Sequence, residues 1–292
     1  MTTPGSSDGR TQLDQPAVEN IATVLRLAPD DCLVLTGSRV LPFDTGTDDL
    51  DLLVITTRSE TVRQAELRRH PERLSEQQTN GFLLSYLSHG DSELDVEVWP
   101  RTTVLAAAAA VGDRIRSVAE LEKDFTRVGG LEVKVGIDLF QGLWYGRPLL
   151  GAPSLDVLRS SVCWRAHFAG RRDTLLVNVR DAVKGIARSL REDRPDEAYL
   201  KLCWAADCLA DALVFHYGHS IARWKWRLRM LELTPRWLRD WYHEVRFPTR
   251  PLQATELWEH RDRLARCCQE YTGAEPSLPA GTPAPVLVAG GG

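Results

Sequence analysis

The stretch Leu33–Thr56, LVLTGSRVLPFDTGTDDLDLLVIT, constrains this chain more than any other part of it. The apolar run Cys32-Leu33-Val34-Leu35 ends at Thr36-Gly37-Ser38, and a second run, Leu50 to Ile55, has Asp49 and Asp51 at its start. Both runs are leucine-rich or β-branched and bounded by turn residues, which predicts two short buried strands. Alternation along the second strand places Asp49 and Asp51 on one face and Leu50 and Leu52 on the other. Two carboxylates side by side repel each other and raise one another's pKa unless a cation lies between them. An all-oxygen pair of this kind suits Mg²⁺, which takes one or two carboxylates and leaves its other positions to water and phosphate oxygens. The Gly37-Ser38 turn exposes backbone N–H groups that cradle phosphate, with the Ser38 hydroxyl and Arg39 as further donors.

Gly37-Ser38-Arg39, a spacer, then Asp49-Leu50-Asp51-Leu52 resembles the signature of the nucleotidyltransferase superfamily, the DNA polymerase β-like fold. Within it the chain is similar to the small-molecule (aminoglycoside-type) and minimal nucleotidyltransferases. That family carries a third carboxylate on a later strand, flanked by apolar residues. Glu93-Leu94-Asp95-Val96-Glu97-Val98-Trp99 fits the place, with Asp95 at the usual position and Glu97 next on the same face. Leu41-Pro42 and Asp48 stand where family members often have Gly and Ser. The resemblance covers residues 30–100.

The resemblance implies an α+β fold, a small mixed β-sheet nucleotidyltransferase domain followed by an all-α helical bundle. It implies an enzyme that moves a nucleoside monophosphate from an NTP, ATP first, to a hydroxyl of a small molecule such as an antibiotic or metabolite, releasing pyrophosphate. Asp49 and Asp51 would hold Mg²⁺, with two ions expected. Asp95 would complete the second site or take the acceptor's proton, and Gly37, Ser38 and Arg39 would hold the phosphates. Two other readings stand beside it. One is nucleotidylation of a partner protein, as in antitoxin-type family members, which are usually short single domains. The other is a nucleotide-binding relative without catalysis.

At 292 residues the chain is long enough for two domains with cores of their own. Its formal net charge of -4 gives no electrostatic reason for a polyanion partner, so no nucleic acid is expected. The polar N-terminus lacks the apolar core of a signal peptide and no apolar run reaches membrane-spanning length, which predicts a cytoplasmic protein. The six cysteines form no C-x-x-C pair and sit in apolar patterns, which reads as buried reduced thiols.

Composition along the chain predicts a disordered N-terminus (1–12), a catalytic domain (13–100), a helical connector (101–153), a helical domain closing over nucleotide and acceptor (154–274) and a disordered tail (275–292). Within the catalytic domain, helices are expected over Pro16–Leu27 and Ser59–His70 and a strand over Phe82–Leu87. The connector reads as helical over Thr103–Phe125 and Leu131–Tyr145. Leu143 to Gly151 resembles a linker these transferases carry.

Leu176, Val179, Val183, Ile186 and Leu190 recur at three and four residues, a helix-packing seam. Arg180, Lys184 and Arg188 lie on another face, read as solvated, with an anion-binding lining as the alternative. Asp196–Tyr217 is apolar nearly all round, through Leu200, Leu202, Trp204, Leu209, Leu213 and Phe215, which predicts a central helix. Asp207 and Asp211, four apart, are expected to face water or basic partners. Arg223–Arg229 alternates basic and aromatic residues, read as an amphipathic helix with Trp inward and Arg in water. Lys201 and the Lys225-Trp226 pair match residues that recur in the family, which gives both lysines a nucleotide-binding reading. His216-x-x-His219 has metal-like spacing without a third ligand nearby.

Overall fold

The structure is a computed structural model, and it describes residues 15–43, 50–58, 73–79, 82–89, 92–112, 127–128 and 131–279. Short apolar runs become the strands β1 (Cys32–Leu35), β2 (Leu50–Thr56), β4 (Phe82–His89) and β5 (Ser92–Pro100). With β3 (Arg73–Thr79) and β8 (Arg147–Leu150) they form one six-stranded sheet, in the order β3-β4-β5-β2-β1-β8. β2 and β5 run parallel while β1 pairs antiparallel with both β2 and β8, so the sheet is mixed. Helix α1 (Gln15–Val24) packs Val18 and Ile21, with Leu25 just beyond its end, into one cluster with Leu33, Leu35, Leu52, Val54, Val96 and Val98. Each such apolar side chain taken fully out of water contributes about 1.5–3 kcal/mol. The opposite sheet face carries the alternate residues, Asp51 and Asp95 among them.

Two strands depart from the sequence expectation. β3, RLSEQQT, has no apolar alternation, and it is tolerated because it is an edge strand paired only with β4. β8 lies inside the stretch expected to be a helical connector (101–153). Instead Arg147–Leu150 returns to the sheet as its other edge, beside β1. Gly151 ends it at φ +70°, where a Cβ would run into the Asp31 carbonyl. Of the connector's expected helices, Thr103–Phe125 is described as far as α2 (Arg101–Gly112), and Leu131–Tyr145 begins as β7 (Leu131–Glu132), paired with β6 (Arg127–Val128), before α3 (Val133–Tyr145). The Ser59–His70 helix and the N-terminal residues 1–12 lie outside the described residues.

The chain divides into two compact units, Met1–Arg101 with Arg147–Ser154, and Thr102–Gly146 with Leu155–Gly292. The second is helical. After α4 (Ala152–Ser161) come α5 (Trp164–Arg191) and α6 (Pro195–His216), which Pro195 opens at a position where its missing N–H costs nothing. Then follow α7 (Arg227–Leu231), α8 (Arg236–Arg246) and α9 (Ala254–Tyr271), the last started by a capping box of Gln253 and Glu256. The seam Leu176, Val179, Val183 and Ile186 meets α6, α8 and α9 in one core. The fold class is α+β.

α6 is not apolar-buried all round. Leu200 and Trp204 are 68% and 48% exposed, while its alanines and Leu202, Leu209 and Leu213 fill the core. Arg227 answers the Asp207–Asp211 pair, bonding Asp211 at 2.6 and 2.9 Å and meeting Asp207 at 3.2 Å. Lys184 and Arg188 are exposed, whereas Arg180 lines a cavity of about 330 Å³ with Val183 and Cys268. Trp224–Trp226 is a 3₁₀ turn, and Trp224 is 79% exposed instead of packed inward. The tail expected to be disordered from residue 275 is docked as far as 279: Ser277 N–H donates to the His216 carbonyl at 2.7 Å and Arg165 pairs with Glu275. Residues 280–292 lie outside the described residues. All six cysteines are free thiols, five of them buried. Among the described residues no helix is long and apolar enough to cross a membrane.

Candidate functional site

β2 and β5 pair in parallel with Asp51 opposite Asp95, and Leu50 opposite Leu94 on the other face. Paired residues of neighbouring strands share a face about 4.8 Å apart, so both carboxylates fall within reach of one cation. Asp51 and Asp95 are half-buried, flanked by the buried Leu50, Leu52, Leu94 and Val96. This is the alternation of an apolar strand interrupted on its second face only.

The turn after β1 is fastened to Asp51. Thr36 N–H donates to the Asp51 carbonyl at 2.8 Å and its hydroxyl to the same oxygen at 3.2 Å. Gly37 follows at φ +66°, the left-handed region that glycine enters without strain. A Cβ at Gly37 would overlap the Asp51 carboxylate. Glycine is therefore required here twice, for its backbone and for the carboxylate it lies against. Ser38 is buried and Arg39 half-buried in the 3₁₀ turn Gly37–Val40, which Leu41 N–H closes onto the Ser38 carbonyl at 3.4 Å. The sheet thus brings Gly37, Ser38, Arg39, Asp51 and Asp95 to one region of the first unit. Asp49 lies outside the described residues.

Glu97 shares the Asp95 face but stands one step further along, beside Leu53. Its carboxylate accepts the Trp99 indole N–H at 3.1 Å. Thr36 and this Trp99 contact escape a motif reading; the Thr before the Gly-Ser turn and the i, i+2 spacing of Glu97 and Trp99 are their only sequence signals.

The donor set fits Mg²⁺: two carboxylates in register, with the Gly37 turn against one of them, leave room for the water and phosphate oxygens that this ion keeps. Among the described residues no group of three or more His, Cys, Asp or Glu side chains is assembled for a metal. His216 and His219 each have other neighbours. His216 Nδ1 lies 3.4 Å from Arg172 Nη1, and His219 Nδ1 lies 3.3 Å from the Tyr145 hydroxyl.

Lys201 and Lys225 belong to the helical unit. Lys201 Nζ donates to Ser189 Oγ at 2.6 Å and to Glu197 at 3.4 Å. Lys225 is exposed, with its ammonium 4.9 Å from the centre of the Trp226 ring.

No protein-family model matches the chain, and no curated protein matches it. Among solved structures it is similar to a nucleotidyltransferase-like protein from Exiguobacterium sibiricum 255-15, at 12% identity and a TM-score of 0.45, over 89% of this chain and 77% of that one.

Proposed function

We propose that this protein is a Mg²⁺-dependent nucleotidyltransferase that moves a nucleoside monophosphate from an NTP, ATP first, to a hydroxyl of a small molecule. The observation that carries the reading is the register of Asp51 against Asp95 with Gly37 packed on the Asp51 carboxylate. Asp51 and Asp95, with Asp49 two residues before Asp51 in the sequence, would hold the metal, which would supply Lewis-acid stabilisation of charge on the phosphate oxygens. Backbone N–H groups of the Gly37-Ser38 turn, with the Ser38 hydroxyl, would bind the β- and γ-phosphates, and Arg39 would offset charge on the leaving group. Asp95 would take the acceptor's hydroxyl proton as the oxygen attacks the α-phosphorus. The bond from that phosphorus to the β-phosphate oxygen breaks and pyrophosphate departs.

The test is pyrophosphate release by the full chain with each NTP, with and without Mg²⁺, against a panel of hydroxylated small molecules. Acceptor- and Mg²⁺-dependent release that Asp51→Asn abolishes supports the reading. Release that persists unchanged in Asp51→Asn overturns it.

A further inference from the structure

Six buried side-chain nitrogen or oxygen atoms among the described residues lack a hydrogen-bond partner, and four of them fall in three residues of the helical unit. They are both ring nitrogens of His167, Nε of Arg171 and Oγ of Ser220. His167 and Arg171 lie one turn apart on α5. The His167 ring centre is 4.7 Å from that of Phe140 on α3 and 6.2 Å from Phe215 on α6. The Arg171 guanidinium stands 5.7 Å from the centre of the same Phe215 ring. Ser220 belongs to the segment that leaves α6 after Phe215 and is tied back to α3. Its N–H donates to the Tyr145 hydroxyl at 3.2 Å, and the Ala222 N–H donates to Gln141 at 2.7 Å.

Buried polar groups without partners are destabilising and rare. His167 is 3% exposed inside walls of Phe140, Trp164, Phe168 and Phe215, a niche where phenylalanine would carry no such penalty. Among the described residues Arg171 has no carboxylate within ion-pair distance. Asp211, whose charge favours its protonated form, is already bound through both oxygens by Arg227. Burial pushes the Arg171 guanidinium down to about 10, and burial together with the Arg171 charge pushes the His167 imidazole down to about 3. At neutral pH the junction therefore presents an unpaired cation and, one turn away, a neutral ring with one donor and one acceptor. Arg171 as a whole is half-buried, with its Nε fully buried.

We propose that this α3–α5–α6 junction binds a small oxyanion-bearing ligand, a phosphate or a carboxylate. The oxyanion pairs with the Arg171 guanidinium, whose planar fork matches both groups. His167 and Ser220 supply hydrogen bonds to its remaining oxygens or to a neighbouring hydroxyl. The residues belong wholly to the helical unit.

The test uses the full chain labelled with ¹⁵N-histidine, with the His167 ring signals assigned by their loss in His167→Phe. Inorganic phosphate and citrate are titrated separately at constant ionic strength. A saturable shift of the His167 signals with either anion is expected, and the anion that produces it names the ligand class. Arg171→Gln should weaken the apparent affinity about 10- to 100-fold, the range for a hydrogen-bonded charge. Where that variant does not fold, Arg171→Lys keeps the charge without the planar fork and should bind more weakly than wild type. No shift with either anion, or wild-type affinity in the folded Arg171 variant, overturns the proposal. Phosphate bound only at the Gly37-Ser38 turn leaves the His167 signals in place, so this proposal and the transferase reading fail separately.

Discussion

The Trp99 indole N–H donates to the Glu97 carboxylate at 3.1 Å, two residues along β5 from an aspartate that pairs in register with Asp51. Trp99 is fully buried beside Ile55. Two acids of one strand face thus have different work: Glu97 satisfies an interior indole, and Asp95 stands at the end of the sheet where β1 gives way to the Gly37 turn.

Asp95→Asn should therefore lower kcat by about 10²–10⁴-fold, the range for a lost general base. Glu97→Gln keeps an oxygen for Trp99 and should lose far less. Steady-state pyrophosphate release by the two purified variants decides between them. A dead Glu97→Gln with an active Asp95→Asn would put the third carboxylate at Glu97.

Gly37→Ala places a side chain at φ +66° and into the Asp51 carboxylate. The left-handed backbone alone costs about 1–2 kcal/mol for a residue with a Cβ. The variant should melt lower and, because Asp51 must move, lose metal-dependent turnover beyond what the stability loss explains. Wild-type melting and turnover together would contradict the close approach of Gly37 to the Asp51 carboxylate.

Arg227→Ala should destabilise the helical unit by about 3–5 kcal/mol, since it takes the bidentate partner from the partly buried Asp211 carboxylate. Burial pushes the Asp211 carboxyl up and the Arg227 guanidinium down; for Arg227 the hydrogen bonds and charge of Asp211 more than reverse this, and the bidentate geometry keeps the pair ionised. Asp207 would keep the Tyr242 hydroxyl, which donates to it at 2.8 Å, and Arg246 at 3.4 Å. Arg250→Ala, which removes an exposed pair with Glu256, should change stability little. Urea denaturation of both variants gives the contrast, and equal losses would contradict it.

His167 gives a pH dependence. Its imidazole is held down at about 3 by burial, then by Arg171, against 6.5 in the unfolded chain. A depressed folded pKa means the unfolded chain takes up the proton first. The stability is fully present above pH 6.5 and is lost as pH falls toward 3, by roughly 1.4 kcal/mol per pH unit. His216, His219 and His260 are also lowered, chiefly by burial, and contribute in the same direction. His167→Phe should remove one proton from that slope, measured by denaturation at pH 7, 6 and 5. Parallel slopes for variant and wild type would contradict the neutral buried ring.

Strand pairing around the carboxylates was readable because β1, β2 and β5 alternate or run apolar between turns. The α+β class was implied by the resemblance over residues 30–100, and the three- and four-residue spacing of Leu176, Val179 and Val183 agrees with it. β3 and β8 were not readable: one is polar, the other is four residues with a proline, and only partner strands make either extended. Leu200 and Trp204 misled because an apolar residue on a helix does not say whether a neighbour covers it. Docking of 275–279 rests on the buried Arg172, which donates to the Ala274 carbonyl, a contact between distant segments that composition does not encode. Pairing of Asp51 with Asp95 is register, which local pattern supports; the orphaned His167 and Arg171 depend on three helices at once.

The return of β8 to the sheet makes the first unit discontinuous, with Cys32 Sγ reaching the Gly151 carbonyl across 119 residues of chain. A nascent polypeptide released to residue 101 would hold β1 with one edge bare, since β8, the second of its two antiparallel partners, is still to be synthesised. The sheet is completed only after more than forty further residues have left the ribosome, during which the open β1 edge is a template for wrong pairing. Recombinant truncation at Pro100 reproduces that half-made state permanently. A fragment of the sheet unit intended to stand alone needs Arg147–Ser154 restored beside β1, for example by a short engineered linker in place of the intervening helices.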